Sequence, residues 1–225
     1  MSTTITRRLN STAARPGASL RRLALCGRLA GPMFLGAILV LDWLDPNVTS
    51  LADPISYLAA RSAPYAPLMN VILGISGLLF TAGTLALHHV LPPLPRGRPV
   101  LTISWFGLVG MLGAAVLPCD FHCYTGSLAG KLHFLPAILG WGLLHIGLWR
   151  LPVSLSRDSR WAAHAAWPLR LVVASLALTV LFHLGGLRWV PGLHGYIGFF
   201  QRLFLLCVFG ALYAMAGHLR RLESS

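Results

Sequence analysis

The sequence predicts an all-α fold, a polytopic bundle of six transmembrane helices with both termini in the cytoplasm. First, 56% of the 225 residues are hydrophobic and only 11% are charged, whereas a soluble domain carries about 25% charged residues. Second, the chain holds six apolar runs that approach the roughly 20 residues needed to cross a bilayer core of about 30 Å. Third, arginine is concentrated in alternate connections between those runs, as the positive-inside rule requires of cytoplasmic loops.

The six runs are separated by short stretches rich in proline, glycine and arginine. Because a spanning segment must satisfy its backbone hydrogen bonds internally, each run is predicted to be a helix. No long polar insert suggests a second domain. The predicted domains are a disordered basic cytoplasmic tail over 1–22, a transmembrane domain over 23–219 and a short cytoplasmic tail over 220–225. The predicted helices cover 27–44, 67–90, 100–117, 132–149, 168–187 and 195–218.

The net charge of +12 does not indicate a nucleic-acid partner, because such proteins gather basic residues on one face with polar or aromatic readers between them. Here most basic residues lie in the tail or in the second and fourth connections, and only Arg61, Lys131 and Arg188 fall on the opposite side. The arginine-rich side is therefore predicted to be cytoplasmic. This pattern predicts a multi-pass protein of a cell membrane, of the bacterial plasma-membrane type.

Ionisable residues gather on the predicted outer side. Asp42, Asp45, Asp53 and Asp120 fall at outer helix ends or in outer loops. Arg202 lies about seven residues into the sixth helix, roughly 10 Å below the membrane surface at 1.5 Å per residue. A charge at that depth needs a partner, and Asp42 is the first candidate and Asp120 the second. The pair either fixes helix register or forms part of a functional site.

The segment Cys119-Asp120-Phe121-His122-Cys123 allows three readings: a local disulfide, two ordinary thiols, or a metal ion held with a distant histidine. Its spacing lacks the paired CxxC arrangement of structural zinc sites, so no metal is assigned. A cytochrome with haem at each side is an alternative suggested by the inner His88, His89, His145 and His218. However, His133 and His145 point about 120° apart on their helix, and no cofactor is predicted.

The chain resembles the uncharacterised bacterial and archaeal membrane proteins classed as domain of unknown function 998. The resemblance rests on 53–80, 107–137 and 195–206, within which Asp53-Pro54-Ile55-Ser56, Pro118 with Asp120, and Gly130 with His133 match the family pattern. Two departures are Leu117, where phenylalanine is usual, and Gln201, where an acidic residue is common. The layout is also distantly similar to the Frag1, DRAM and Sfk1 group, whose members are implicated in lipid remodelling.

The leading hypothesis is an outward-facing pocket that handles a lipid or isoprenoid headgroup. If the protein is an enzyme, Asp120 or His133 would act as acid or base and Arg202 would hold an anion. The alternatives are a non-catalytic assembly factor and a small oligomeric transporter. Membrane lipids are the expected partners, with a homo-oligomer left open. The pocket is predicted to contain Asp42, Ser56, Asp120, His133, His183 and Arg202.

Overall fold

A computed structural model describes residues 18–120, 123, 126–186, 190 and 192–224 of the chain. Over this part, six helical segments are long and apolar enough to cross a membrane, and no strand is formed. The predicted six-helix all-α class is therefore confirmed. The helices are α1 (Ala18–Leu44), α2 (Ala66–Val90), α3 (Pro99–Val116), α4 (Leu128–Leu155), α5 (Ala166–Gly186) and α6 (Ile197–Ser224).

The first and last helices extend beyond the spans predicted for them. Residues 18–22, assigned to the disordered tail, form the first turns of α1. Residues 220–224, assigned to a C-terminal tail, continue α6. Both stretches contain Leu and Arg, which are good helix formers, and cations are favourable near a helix C-terminus. The rest of the predicted N-terminal tail, 1–17, lies outside the described residues.

The helices pack in a ring that follows the chain order. Each helix contacts the next one, and α6 closes the ring against α1 while also touching α2. At the centre, the rings of Phe34 and Phe209 lie 5.4 Å apart, and Phe80 contacts both Phe106 and Phe209 at 5.3 and 5.5 Å between centroids. These four buried rings join α1, α2, α3 and α6 into one core.

Glycines set the closest approaches between neighbouring helices. A Cβ on Gly77 of α2 would collide with the backbone of Gly107 in α3, and the converse also holds. Gly107 belongs to a π-helical segment, Phe106–Leu112, that interrupts α3. On the other side of this segment Gly110 meets Gly140 of α4. Small residues therefore allow α2 and α3 to pack tightly, as they do in other membrane bundles.

The two ends of the bundle differ in charge. The acidic end is formed by the connections after α1, α3 and α5 and carries Asp42, Asp45, Asp53 and Asp120. The basic end is formed by the connections after α2 and α4 with the helix termini beside them, and it carries Arg96, Arg98, Arg150, Arg157 and Arg160. An even number of spanning helices places both termini of the transmembrane domain at the basic end. That this end faces the cytoplasm remains a prediction.

Candidate functional site

Arg202 and Asp42 form a two-point ion pair at the acidic end. Arg202 Nε donates to Asp42 Oδ2 at 2.9 Å, and Nη2 donates to Oδ1 at 2.7 Å. Only 15% of the arginine side chain and 4% of the aspartate side chain are exposed. This planar, bidentate geometry is the strongest form of such a pair. The predicted first partner of Arg202 is therefore confirmed.

The same pair secures the loop that follows α1. Arg202 Nη1 donates to the carbonyl of Asp53 at 2.7 Å, and Ser50 Oγ donates to Asp42 Oδ2 at 2.9 Å. The neighbouring Gln201 accepts the Ile55 backbone N–H at 2.7 Å through Oε1. Each of the three guanidinium nitrogens thus donates to a protein oxygen. The charge of Arg202 is matched within the protein, so its first role is to hold α1, this loop and α6 together.

An amide at position 201 is compatible with the fold. Its Oε1 supplies the acceptor for Ile55, a task that a carboxylate oxygen would also perform. The sequence marked Gln201 only as a departure from the family pattern. Because the amide carries no charge, Asp42 remains the carboxylate that contacts Arg202 among the described residues. Arg202 is therefore neutralised by Asp42 although Gln201 stands where the family commonly has an acidic residue.

Ser56 and His133 line an internal cavity of about 90 Å³ below this loop. Its walls are mostly apolar, and Gln201 is a third polar group at the same cavity. His133 is 5% exposed, and its Nδ1 donates to the Leu117 carbonyl at 2.7 Å. A cavity of this size has room for a few waters. The cavity is too small for a whole lipid headgroup, for which about 300 Å³ or more is typical.

Asp120 lies apart from Arg202, in the connection after α3. Its two carboxylate oxygens accept the backbone N–H and the hydroxyl of Ser127, both at 2.7 Å. These bonds, together with the positive charge of Arg61, hold the pKa of Asp120 below its ordinary value. Ser127 in turn caps α4 by accepting from the Gly130 N–H at 3.0 Å. Asp120 is thus an ionised group that fixes the start of α4.

His183 also lies apart from the ion pair. It is exposed near the end of α5, where its Nδ1 donates to the Thr179 carbonyl at 2.7 Å. Its ring is 6.2 Å from that of Trp141. The six residues of the predicted pocket are therefore divided: Asp42 contacts Arg202, Ser56 shares a cavity with His133, and Asp120 and His183 line neither feature.

A second cavity opens at the rim of the acidic end, and the sequence did not single it out. It has a volume of about 380 Å³ and is lined by residues of the α1–α2 connection. Asp45 lies in its wall and is only 2% exposed. Asp45 Oδ1 accepts both the backbone and side-chain N–H of Asn47, at 3.0 and 3.1 Å. The Asp-Pro-Asn sequence is a turn signal in which the aspartate folds back on the chain, and it could have indicated this placement.

Cys119 and Cys123 are joined by a disulfide, which is one of the three readings of that segment. Cys119 is fully buried. A ring nitrogen of His133 and the two sulfur atoms lie within 4.8 Å of one another. No other group of three or more potential metal ligands occurs among the described residues. His122, the remaining polar residue of the segment, lies outside them.

Comparison with known proteins places the chain within one family. No curated protein and no solved structure matches it. A family model described as "Protein of unknown function (DUF998)" matches residues 28–218, which include all six helices at least in part. The matched region holds the Arg202–Asp42 pair, the rim cavity and the disulfide. The protein therefore belongs to the DUF998 family of membrane proteins.

Proposed function

We propose that this membrane protein binds the headgroup of a membrane lipid in the rim cavity at its acidic end. The observation that carries the proposal is the nearly buried carboxylate of Asp45 in the wall of a 380 Å³ cavity. That volume lies within the range of about 300 to 1,000 Å³ typical of small-molecule sites. The cavity lies in the connection between the spanning helices α1 and α2, where a lipid headgroup would be expected to reach it.

The charge in the cavity selects the kind of headgroup. Among the described residues, the hydrogen bonds to the Asp45 carboxylate come from Asn47 and engage Oδ1, so Oδ2 would be the atom that accepts from a ligand. A carboxylate removed from water is stabilised by a cation that also donates hydrogen bonds. The ring of Tyr57 lines the same cavity, and aromatic faces attract ammonium groups. These features favour a headgroup that carries an amine, as in an aminophospholipid.

The other polar groups of the cavity complete the fit. Asn47 and Ser62 offer amide and hydroxyl groups, and no basic side chain is among the lining residues. A headgroup with only negative charge would meet Asp45 without compensation. An enzymatic role for His133 or Asp120, with Arg202 as anion holder, has less support because Arg202 faces Asp42. The distant similarity to the Frag1, DRAM and Sfk1 group also suggests lipid, and it remains an expectation.

The test is lipid retention by the purified full-length protein. The parent and Asp45→Asn are reconstituted into nanodiscs that contain equal amounts of phosphatidylethanolamine and phosphatidylglycerol, and retained lipid is measured by native mass spectrometry. The parent should retain phosphatidylethanolamine preferentially. Asp45→Asn should weaken this retention by about tenfold, equivalent to about 1.4 kcal/mol.

Asp120→Asn is the matched control, because it removes one negative charge from the same end of the bundle but lies outside the rim cavity. It should retain lipid like the parent. Thermal unfolding of all three proteins checks that a loss of retention does not reflect a loss of fold. Equal retention of the two lipids by the parent, or unchanged retention by Asp45→Asn, would refute the proposal.

A further inference from the structure

We propose that Cys119, Cys123 and His133, when the two cysteines are reduced, form a three-ligand site for a borderline-soft divalent cation such as Zn²⁺. The ligand atoms of these residues already lie within 4.8 Å of one another. In a tetrahedral site with Zn–S of about 2.3 Å and Zn–N of about 2.0 Å, neighbouring ligand atoms are roughly 3.5 to 3.8 Å apart. Reduction frees the two sulfur atoms to separate to that distance.

His133 makes the backbone hydrogen bond that is typical of a metal-binding histidine. Its Nδ1 donates to the Leu117 carbonyl at 2.7 Å, so the neutral ring carries its free lone pair on Nε2. A hydrogen bond from the non-ligating nitrogen to a backbone carbonyl is the usual outer-shell arrangement of metal-bound histidine. Leu117 follows the last turn of α3, and its non-helical backbone, with ψ of 71°, leaves that carbonyl outside the helix ladder.

The cysteines are positioned by backbone contacts that do not depend on the disulfide. The Cys123 N–H donates to the Asp120 carbonyl at 2.8 Å, and the Arg61 N–H donates to the Cys119 carbonyl at 3.0 Å. Cys123 has a φ of 54°, a region that residues other than glycine seldom occupy. These backbone hydrogen bonds remain available to position both cysteines when the disulfide is reduced. Cys119 Sγ lies 3.3 Å from the Ser56 carbonyl, which would accept its proton as a thiol.

The Cys119–Cys123 disulfide must be reduced before the two sulfur atoms can bind a cation. A dithiol reductant transfers two electrons and two protons to the disulfide and leaves as a disulfide itself. Each cysteine thiol then loses its proton as the thiolate binds the cation, so one Zn²⁺ displaces two protons. Two thiolates and one neutral imidazole cancel the charge of the ion. Three protein ligands leave a fourth position for water or another ligand.

The ligand set also selects the ion. Thiolate and imidazole ligands favour Zn²⁺ over Mg²⁺ and Ca²⁺, which prefer oxygen. Cys26 and Cys207 are free cysteines, but they lie in the transmembrane helices α1 and α6 and belong to no group of potential metal ligands. No residue of this site lines the rim cavity. The inference is thus independent of the proposed headgroup binding.

The test is a titration of the full-length protein in detergent with Co²⁺, after reduction by a phosphine and a count of free thiols. Co²⁺ alone should produce sulfur-to-cobalt charge-transfer absorption that saturates at one ion per chain and disappears when Zn²⁺ is added. Cys119→Ser and Cys123→Ser should each abolish the band, and His133→Ala should weaken binding at least tenfold. The Cys26→Ser/Cys207→Ser double variant is the matched control and should bind like the parent.

A second measurement uses only the parent protein and does not depend on variants that could fail to fold. In the reduced protein, Zn²⁺ should slow the alkylation of Cys119 and Cys123 but not that of Cys26 or Cys207, as read by peptide mass spectrometry. Three results would overturn the inference: a disulfide that resists reduction in the folded protein, a fully reduced protein without the charge-transfer band, or a band that survives Cys119→Ser. Any of these would show that Cys119, Cys123 and His133 do not form the proposed site.

Discussion

Arg202 in α6 and Asp42 in α1 are 160 residues apart in sequence and joined by two parallel hydrogen bonds of 2.9 and 2.7 Å. The pair lies at the point where the loop after α1 folds over the start of α6, with the Asp53 carbonyl as a third acceptor. It therefore closes the helical ring at its acidic end. An arginine below the membrane surface is costly unless it is paired in this way.

Removing Arg202 should destabilise the protein through the carboxylate left behind. Arg202→Leu leaves Asp42, which is 4% exposed, with Ser50 as its remaining described donor. Breaking one side of a buried pair costs about 3 to 5 kcal/mol. The free energy of unfolding in detergent should fall by that order. In Arg202→Leu/Asp42→Asn the unpaired charge is gone, so part of the stability should return.

Arg202→Lys refines the same prediction. Lysine retains the charge but lacks the planar fork that donates to both oxygens of Asp42 and to the Asp53 carbonyl. Its stability should fall between those of the parent and Arg202→Leu. If Arg202→Leu unfolds at the same temperature as the parent, the ion pair does not close the ring in the membrane protein.

Gly77→Ala should weaken the packing of α2 on α3. The new Cβ would lie 3.0 Å from the Met111 Cβ and 3.1 Å from the Leu112 nitrogen, and it would collide with the Gly107 carbonyl oxygen. Overpacking of this kind costs about 1 to 3 kcal/mol. Gly210→Ala is the control, because a Cβ there meets nothing within 4 Å. It should be neutral or raise stability by up to about 1 kcal/mol, and equal effects of the two substitutions would contradict the close approach.

At the basic end, Asp158 should make stability depend on pH. Its hydrogen bonds from Arg160, at 2.6 Å from Nη2 to Oδ2 and 3.0 Å from Nε to Oδ1, hold the pKa of the carboxyl below its ordinary 3.8. A group whose pKa is lowered by folding stabilises the protein above its unfolded pKa and loses that contribution as the pH falls through the folded value. The contribution is therefore present at neutral pH and lost below about 3.8.

The measurement compares the thermal stability of the parent and Asp158→Asn from pH 7 downward. Arg160 is 47% exposed, so solvent screens the pair and the difference at pH 7 should be only about 0.2 to 1 kcal/mol. The difference should shrink once the pH passes below the ordinary pKa of aspartate. A gap that stays constant well below pH 3.8 would show that ionisation of Asp158 does not contribute.

Membrane orientation is tested by reporter fusions. The arginine distribution predicts that the basic end is cytoplasmic, and six spans place both termini there. Reporters fused after Arg98 and after Ser225 should both be active in the cytoplasm, whereas one inserted after Ser62 should be external. An external reporter at Ser225 together with a cytoplasmic one after Arg98 would contradict the even number of spans, and external reporters at both positions would contradict the orientation.

The positions of the helices were predictable because hydropathy is a local property. Each run of apolar residues is enough to predict its own helix. The predicted and observed helices differ only at their ends, as at Ala18, where α1 begins earlier than expected. The pairing of Arg202 with Asp42 was also predictable, since a charge at that depth needs a partner and few carboxylates were at the same level.

The composition of the site was not predictable in the same way. Asp42, Ser56, Asp120, His133, His183 and Arg202 lie toward one end of the bundle, but which of them meet depends on the rotation and tilt of each helix. Those are set by packing against neighbours. The sequence by itself determined six spanning helices, the asymmetry of charge between the two ends and the need to neutralise Arg202. Only the tertiary structure decided that Asp45 faces a cavity and that His133 lies beside Cys119 and Cys123. Such contacts depend on the angle at which the helices face each other, and the separation of two residues in the chain carries no information about that angle.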